Sequence, residues 1–503
     1  MSYATRLLLI LASASIEKEI RQQIQQLWDE HRETLEETVL EFVMAESSPA
    51  TMFDFETQIA ERMRELARQL LQRVLKLLEA EQPEQMPQHL HYQAGDYRRL
   101  NEKTRNAHVA TLFGTIELWR YSYRYVHRGM PERCLFPLEM QLGLLQGATP
   151  ALADAVGRYM AQAGATQQAV LDRLRSQHHV CWGAERLRNL TRDLAQGFEG
   201  LTEEFQSRRI LELLEKAEQS RGKCRPVLSV GRDGVTLREY RYRFFEHASV
   251  GTVSVYDRAG NRLGTVYLAF SPQLGQAQMT ARLTALVRTI LERWQGPLPR
   301  LSYVTDAGEN ETQYYRSVLR NMRHPRTGEK LPWYRIIDYY HAAERIWTMA
   351  AALFGPENPR GRSWALRMCR LLKKSSGPSR LLHSAAALRG RLKLSKSRAA
   401  DYRKAYNYIR CRTKFMQYHQ YKRWNLPIGS GVTEAACKTV VAQRLKLSGM
   451  RWGKPGSQMI LNLRVVLLSR IWQPLYRKYL QTYDPAELRT YGSLPKATTS
   501  QAA

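Results

Sequence analysis

The chain has 503 residues, 44% of them hydrophobic, and its 76 Lys and Arg outnumber 47 Asp and Glu for a formal charge of +29. That hydrophobic share excludes a disordered chain, the length allows two to four domains, and no run reaches the roughly eighteen apolar residues of a membrane-spanning helix. Such an excess of positive charge points to a polyanionic partner, because Lys and Arg gain free energy by displacing counterions from a phosphate backbone; an anionic membrane surface is the alternative. The charge is uneven. Residues 1–100 hold 11 Lys and Arg against 17 Asp and Glu, whereas residues 351–430 hold 19 against 2. Nucleic-acid contact is therefore expected from the later segment and not from the start. The six cysteines are scattered, none at zinc-ligand spacing, which fits free thiols in a reducing cytoplasm.

The opening MSYATRLLLILASAS has a faint signal-peptide character, but its apolar run is short and reads as a helix entering the next segment. Residues 1–90 carry two or three amphipathic helices with alternating charges, serving either as an ordinary bundle or as a dimerisation region. In residues 91–145 the period changes. HVATLFGTIELWRYSYRYV predicts strands around Gly114, and its interleaved Tyr and Arg suit either DNA contact or a half-buried strand. Residues 146–222 turn helical again. TQQAVLDRLRSQ, a break at HHVCWG and AERLRNLTRDLAQ have helix-turn-helix proportions, which would offer Arg186, Arg188 and Arg192 to DNA; the same spacing is common in any helical domain. His178 and His179 read as solvated loop residues, and LTEEFQSRRILELLEKAEQSRGK as a separate connecting helix.

From residue 223 the pattern is α/β. PVLSVGRDGV is a buried strand. HASVGTVSVYDRAGNRLGTVYLAF is a hairpin turning at Asp257 to Asn261, and AQMTARLTALVRTILERW is an amphipathic helix. LSYVTDAGEN, ETQYYRSVLRNM and WYRIIDYYH then read as strand, helix and strand. Three strands joined by hairpins, followed by helix, strand, helix and strand, is the order of an RNase H-like domain, whose first part would occupy residues 223–345. Residues 346–426 read as a basic, all-helical insertion, 427–490 as the last helices of the core, and 491–503 as a flexible tail. The expected fold class is thus multidomain α+β, with a helical N-terminal region and an α/β catalytic domain interrupted by helices.

Three acidic residues stand out. Asp233 and Asp306 each sit where an apolar strand is expected to end, and Glu434 opens a helix otherwise made of basic, small and apolar residues. Carboxylates in that order suit Mg²⁺, a hard cation that takes oxygen ligands, and two such ions can serve an in-line attack on phosphate. Each residue also has a plainer explanation. Asp233-Gly234 is a turn dipeptide, Asp306 can cap the helix beginning near Glu309, and Glu434 stands four residues before Lys438, the spacing of a surface ion pair, with Ser430 as the helix cap. Glu309, Glu311 and Glu344 compete as ligands. Asp338 and His341 form a D-x-x-H that reads equally as a buried capping pair or as a functional one. Lys438, Arg444, Lys446, Arg451 and Lys454 recur along and after the Glu434 helix as candidate phosphate contacts.

The sequences GRDGV, VTDAGEN, DYYHAAERIW and PIGSGVTEAACKTVVAQRLKLSGMRW, with FPLEMQLGL upstream, resemble the motifs of DDE-type bacterial insertion-sequence transposases, in particular the ISKra-type family. The resemblance spans roughly residues 90–475; the first ninety match nothing in it. It implies Asp233, Asp306 and Glu434 as the metal-binding triad, holding two Mg²⁺ ions with Mn²⁺ able to substitute. It also implies a helical insertion in the long gap before Glu434, which together with Asp338 and His341 helps hold the transposon end, with Trp347, Trp364 or Trp424 as the aromatic contact. The partners implied are the terminal inverted repeats and target DNA, a homo-oligomer of at least two copies, and no membrane, in a bacterial cytoplasm at the nucleoid. The second Asp is followed by Ala307 where the family commonly has Gly.

Overall fold

The computed structural model describes residues 14–92, 95–126, 134–238, 245–482 and 489–490. The readings of the opening residues 1–13 and of the 491–503 tail lie outside them. The architecture is α+β, and the chain divides into two compact units. Among the described residues no helix is long and apolar enough to cross a membrane.

The first unit begins with a helical hairpin, α1 (Ala14–Met44) and α2 (Pro49–Leu77). Ser48 caps α2 by accepting from the Thr51 amide, and Pro49 takes the first-turn position where its missing N–H costs nothing. An antiparallel sheet follows, built from β1 (His89–Tyr92), β2 (Gly95–Thr111), β3 (Gly114–Tyr125) and β4 (Cys134–Leu135). The expected strands around Gly114 are present. The sheet is larger than the sequence suggested, because β2 is polar and twice irregular in its pairing with β3, between Arg99 and Lys103 and between Asn106 and Val109. Helix α2 locks onto β3 through Gln72, whose amide donates to the Glu117 carbonyl at 2.8 Å and accepts from its N–H at 2.9 Å. Short α3 (Pro137–Gln141), then α4 (Pro150–Ala161) and α5 (Gln167–His178), complete this part. The expected connecting helix does not stand alone. It merges with the one before it into α6 (Ala184–Glu218), since nothing in that stretch breaks helix geometry.

The second unit holds a five-stranded sheet made of β5 (Val227–Arg238), β6 (Phe245–Tyr256), β7 (Arg262–Phe270), β8 (Arg300–Thr305) and β9 (Trp333–Ile337). Its spatial order is β7-β6-β5-β8-β9. The two hairpin pairs are antiparallel, and β5–β8 and β8–β9 are parallel. Helix α7 (Ala277–Arg293) lies on one face, burying Met279, Leu283, Leu286, Val287 and Ile290 at helical spacing against Leu228, Val230 and Tyr303. After α8 (Glu309–Ser317) and β9, the chain is helical throughout: α9 (Tyr339–Phe354), α10 (Pro359–Leu372), α11 (Gly377–Arg391), α12 (Lys396–Arg410) and α13 (Tyr418–Arg423). These helices share one core around Ile346, Met349, Trp364 and Ile409. The stretch holding Glu434 comprises α14 (Gly431–Ala436), a π-helical turn over Cys437–Ala442 and α15 (Gln443–Leu445). Then comes α16 (Lys454–Leu468); α17 (Trp472–Thr482) leads back into the first unit, whose sheet β10 (Arg489–Thr490) joins by pairing with β1.

One buried acid gives the first unit a pH dependence. Glu79 is only 4% exposed, and burial lifts its carboxyl to about 7 even though the N–H groups of Tyr121 and Ala80 donate to it. A raised folded-state value means that the stabilising, protonated form is fully present below pH 4.5 and is lost as pH rises to about 7. At 1.36 kcal/mol per unit the loss is about 3 kcal/mol. Melting temperatures between pH 4.5 and 8 should therefore fall more steeply for the native chain than for Glu79→Gln, whose side chain does not titrate.

Candidate active site

The site forms on the face of β5 opposite α7. Alternation along β5 sends Leu228, Val230 and Arg232 toward α7, and Ser229, Gly231 and Asp233 to the other side. Parallel pairing of β5 with β8 sets Gly231 against Val304; two residues further along each chain stand Asp233 and Asp306. The two aspartates are therefore neighbours by register, and the negative charge of Asp306 acts on Asp233.

Asp233 does not end its strand, as the sequence suggested. β5 continues through Asp233 and Gly234 to Arg238, paired with β6 all the way, so Asp233-Gly234 is neither a turn nor a strand end. What ends is its other neighbour: β8 stops at Thr305, which opens the sheet beside Asp233. Asp306 turns away at Ala307, whose φ of 74° lies in the left-handed region. Its Oδ1 accepts from the Gly308 amide at 2.9 Å, while Gly308, not Asp306, takes the cap position of α8.

Helix α14 lies along the same face of β5. Thr433 sits over Gly231: an added Cβ there would stand 2.0 Å from the Thr433 hydroxyl, which bonds to the Thr252 hydroxyl at 2.8 Å. One turn on, Cys437 donates to Asp233 Oδ2 at 3.4 Å. The spacings match, since four helical residues rise about 6 Å and two strand residues about 6.6 Å. Glu434 follows Thr433 with its side chain 50% exposed, and its charge also reaches Asp233. Ser430 does not cap the helix with its side chain. Its hydroxyl instead meets Glu434 Oε1 at 2.5 Å and Asp338 Oδ2 at 2.7 Å. Among the described residues no ion pair joins Glu434 to Lys438.

Burial first, and then the charges of Asp306 and Glu434, raise the Asp233 carboxyl above its usual range. Glu311, only 6% exposed, is raised in the same way by burial and by Asp306. Buried Arg232 offsets that charge from behind the sheet, held by Gln276 and Thr280. His341 Nε2 lies 3.7 Å from Glu434 Oε1, and its Nδ1 pairs with Glu344 at 3.1 Å. Burial lowers the His341 value, but the Glu344 hydrogen bond and the charges of Asp338, Glu344 and Asp306 outweigh it and leave the value raised.

The structure brings Asp233, Asp306, Glu434 and His341 to one locality. Among the described residues, no three His, Cys, Asp or Glu side chains close around a point at ion-binding distance. The donor set nonetheless fits a hard divalent cation: two carboxylates side by side at the sheet and a third from the helix beside them, one of the three penalised by burial and by its neighbours' charge, a penalty that a cation between them would reverse.

Several expected DNA contacts are corrected. Asp338 is fully buried, and both of its oxygens are engaged within the protein. Arg444 is 1% exposed and stacks on Trp452, so it is a core side chain. Arg186 donates to the carbonyls of Gln146 and His108 and lies over Trp182, which makes it a structural tie. Arg188 and Arg192 are both exposed, and Arg192 also bonds to Asn189. His178 is not solvated: it bridges the Leu112 carbonyl and the Tyr159 hydroxyl. Lys438, Lys446, Arg451 and Lys454 are exposed. Of the three tryptophans, Trp364 is buried and Trp424 packs on Tyr334, while Trp347 is 40% exposed. Sequence reasoning missed Gly231, Thr252, Thr433 and Cys437, whose roles depend on which helix covers which strand.

Compared with known proteins, the chain matches no family model and no curated sequence. The left-handed Ala307 yields a direct test. A non-glycine residue in that region costs about 1 kcal/mol, part of which the greater freedom of an unfolded glycine returns. Because the Ala307 methyl is also buried in the core and its loss costs up to about 0.8 kcal/mol, Ala307→Gly should leave stability to urea within about 1 kcal/mol of the native chain, far less loss than a Gly substitution at an ordinary buried helical alanine.

Proposed function

We propose that this chain is a DDE-type DNA transposase that binds the ends of an insertion element, cleaves them and joins the freed 3′-hydroxyls to target DNA. The observation that carries this reading is the parallel register of β5 with β8, which sets Asp233 beside Asp306, the first residue past the end of β8, with Glu434 supplied by a helix lying along the same face. The sheet order β7-β6-β5-β8-β9, three antiparallel strands followed by two parallel ones, supports an RNase H-like core. The all-helical stretch between β9 and α14 supports the insertion.

Asp233, Asp306 and Glu434 are the residues that would hold the metal. When bound, Mg²⁺ or Mn²⁺ supplies Lewis-acid stabilisation to the attacking and leaving oxygens of an in-line phosphoryl transfer. The chain's own part is placement. Asp233 and Asp306 are fixed by the sheet, Glu434 by α14, and His341 stands beside Glu434. Exposed Lys438, Lys446, Arg451 and Lys454 supply positive charge along and after the Glu434 helix. In the helical stretch, an open groove lined by Arg360, Arg367 and Arg391 beside Ser363 and Ser384 suits a phosphate backbone. The hairpin α1–α2 exposes Leu40, Val43, Met44 and Phe53 by 61 to 84%, an apolar surface that supports subunit pairing.

Two measurements test this. Purified protein is incubated with a supercoiled plasmid carrying the flanking element ends, in Mg²⁺ or EDTA, and joined products are sequenced. Mg²⁺-dependent joining that Glu434→Gln abolishes is the expected result. Cutting without joining would replace the transposase with a nuclease, and no Mg²⁺-dependent product on bound ends would point to an inactive DNA-binding protein. Changing Arg360, Arg367 and Arg391 to Ala should flatten the plot of log affinity against log salt by about 1 for each phosphate that the variant no longer neutralises.

A further inference from the structure

We infer that Asp338 and Ser430 are positioning residues that lock the Glu434 helix to the end of β9; the inference rests on the reading of Glu434 as a metal ligand. The connection is continuous. Asp338 follows β9 and bonds through its N–H to the Thr305 carbonyl at 2.8 Å, the residue before Asp306. Its Oδ1 caps α9 by accepting from the His341 N–H at 2.9 Å. Its Oδ2 accepts from both the N–H and the hydroxyl of Ser430. The Ser430 hydroxyl also faces Glu434 Oε1, so one serine links the buried carboxylate to the functional one.

The residues just before Ser430 are held by the same end of β9. The Tyr339 N–H donates to the Ile428 carbonyl at 2.8 Å. Gly429 is closely packed, since a Cβ there would stand 3.0 Å from the Tyr340 ring. The Pro-Ile-Gly-Ser run is thus the seat on which α14 begins. Thr433 in the hollow at Gly231 is the second fixed point. Together they fix where the helical run over 431–445 begins and how far along β5 it lies. Asp338, fully buried, reaches no DNA. Its effect on DNA chemistry passes through Glu434.

The test uses the full chain with Asp338→Asn, Ser430→Ala and the conservative Ser430→Thr. Asn keeps an oxygen for the His341 N–H but turns its NH₂ toward the two Ser430 donors, so the cap survives while the lock fails. Hydrogen exchange in EDTA is read over residues 431–445. Metal binding is read from the shift in melting temperature with Mg²⁺, and DNA binding at low salt from anisotropy. The inference expects exchange over 431–445 about tenfold faster in Asp338→Asn and Ser430→Ala, restored by Ser430→Thr. It also expects the Mg²⁺ midpoint to rise about tenfold, with DNA affinity unchanged. Unchanged exchange would overturn the lock. Faster exchange with an unchanged midpoint, where Asp306→Asn does move the midpoint, would overturn the link to Glu434. If neither Asp306→Asn nor Glu434→Gln moves the midpoint, the metal-site reading fails, and exchange alone still decides the lock. If DNA affinity falls while exchange holds, Asp338 is a DNA contact and the inference is wrong.

Discussion

The placement of α14 on β5 is the contact on which the candidate site depends. The helix approaches because Gly231 has no side chain, and the Thr433 hydroxyl occupies the space and pairs with Thr252. That single close approach fixes how far along the strand the helix sits, and so which of its residues reach Asp233. Cys437 does, one turn later. The π-helical turn beginning at Cys437 then resets the helix face, so that Val440, Val441, Arg444 and Leu445 are buried while Lys438 and Lys446 remain outside.

Around this contact the structure carries an unfavourable electrostatic arrangement. Asp233 is half-buried and Glu311 buried among like charges, and both carboxyls are raised by desolvation and by Asp306. A core would be more stable without them, and the surroundings are correspondingly rigid. Asp233 is mid-strand and held by β6, which pairs with β5 along its whole length, Arg232 is pinned by Gln276 and Thr280, and Tyr408 donates to the Asp306 carbonyl at 2.7 Å. Strain at Ala307 belongs to the same pattern, with a left-handed residue where Asp306 leaves the sheet. Costs of this kind concentrate where charge is being held ready for a ligand.

Much of the second unit was legible from local pattern. The hairpin at Asp257 reads from its turn residues, and the structure shows why: Asp257 accepts from the N–H groups of Ala259 and Asn261. Helix α7 reads from its apolar spacing, and the parallel strands from unbroken apolar runs. Less was legible in the first unit. Strand β2 is polar along most of its length because much of it is half-exposed, so no alternation marks it. The boundary inside α6 was misplaced because charge patterns change there while helix geometry does not. Asp233 was misread as a strand end for a related reason. Gly234 looks like a breaker, but pairing with β6 holds it extended.

By itself the sequence determined which residue types were available for chemistry, namely three acids in order along the chain, a basic helical segment and an acidic helical start, because composition and spacing follow from covalent order. Tertiary structure alone decided which of them meet. Arg444 looked like a surface group and is buried, Asp338 takes the buried capping role that was one of its two readings, Arg186 is consumed by two backbone carbonyls, and Glu311 joins the acids although nothing in its local pattern sets it apart from Glu309. The reason is that burial and partnership are set by the elements that pack across a side chain, and those come from residues far away in the sequence.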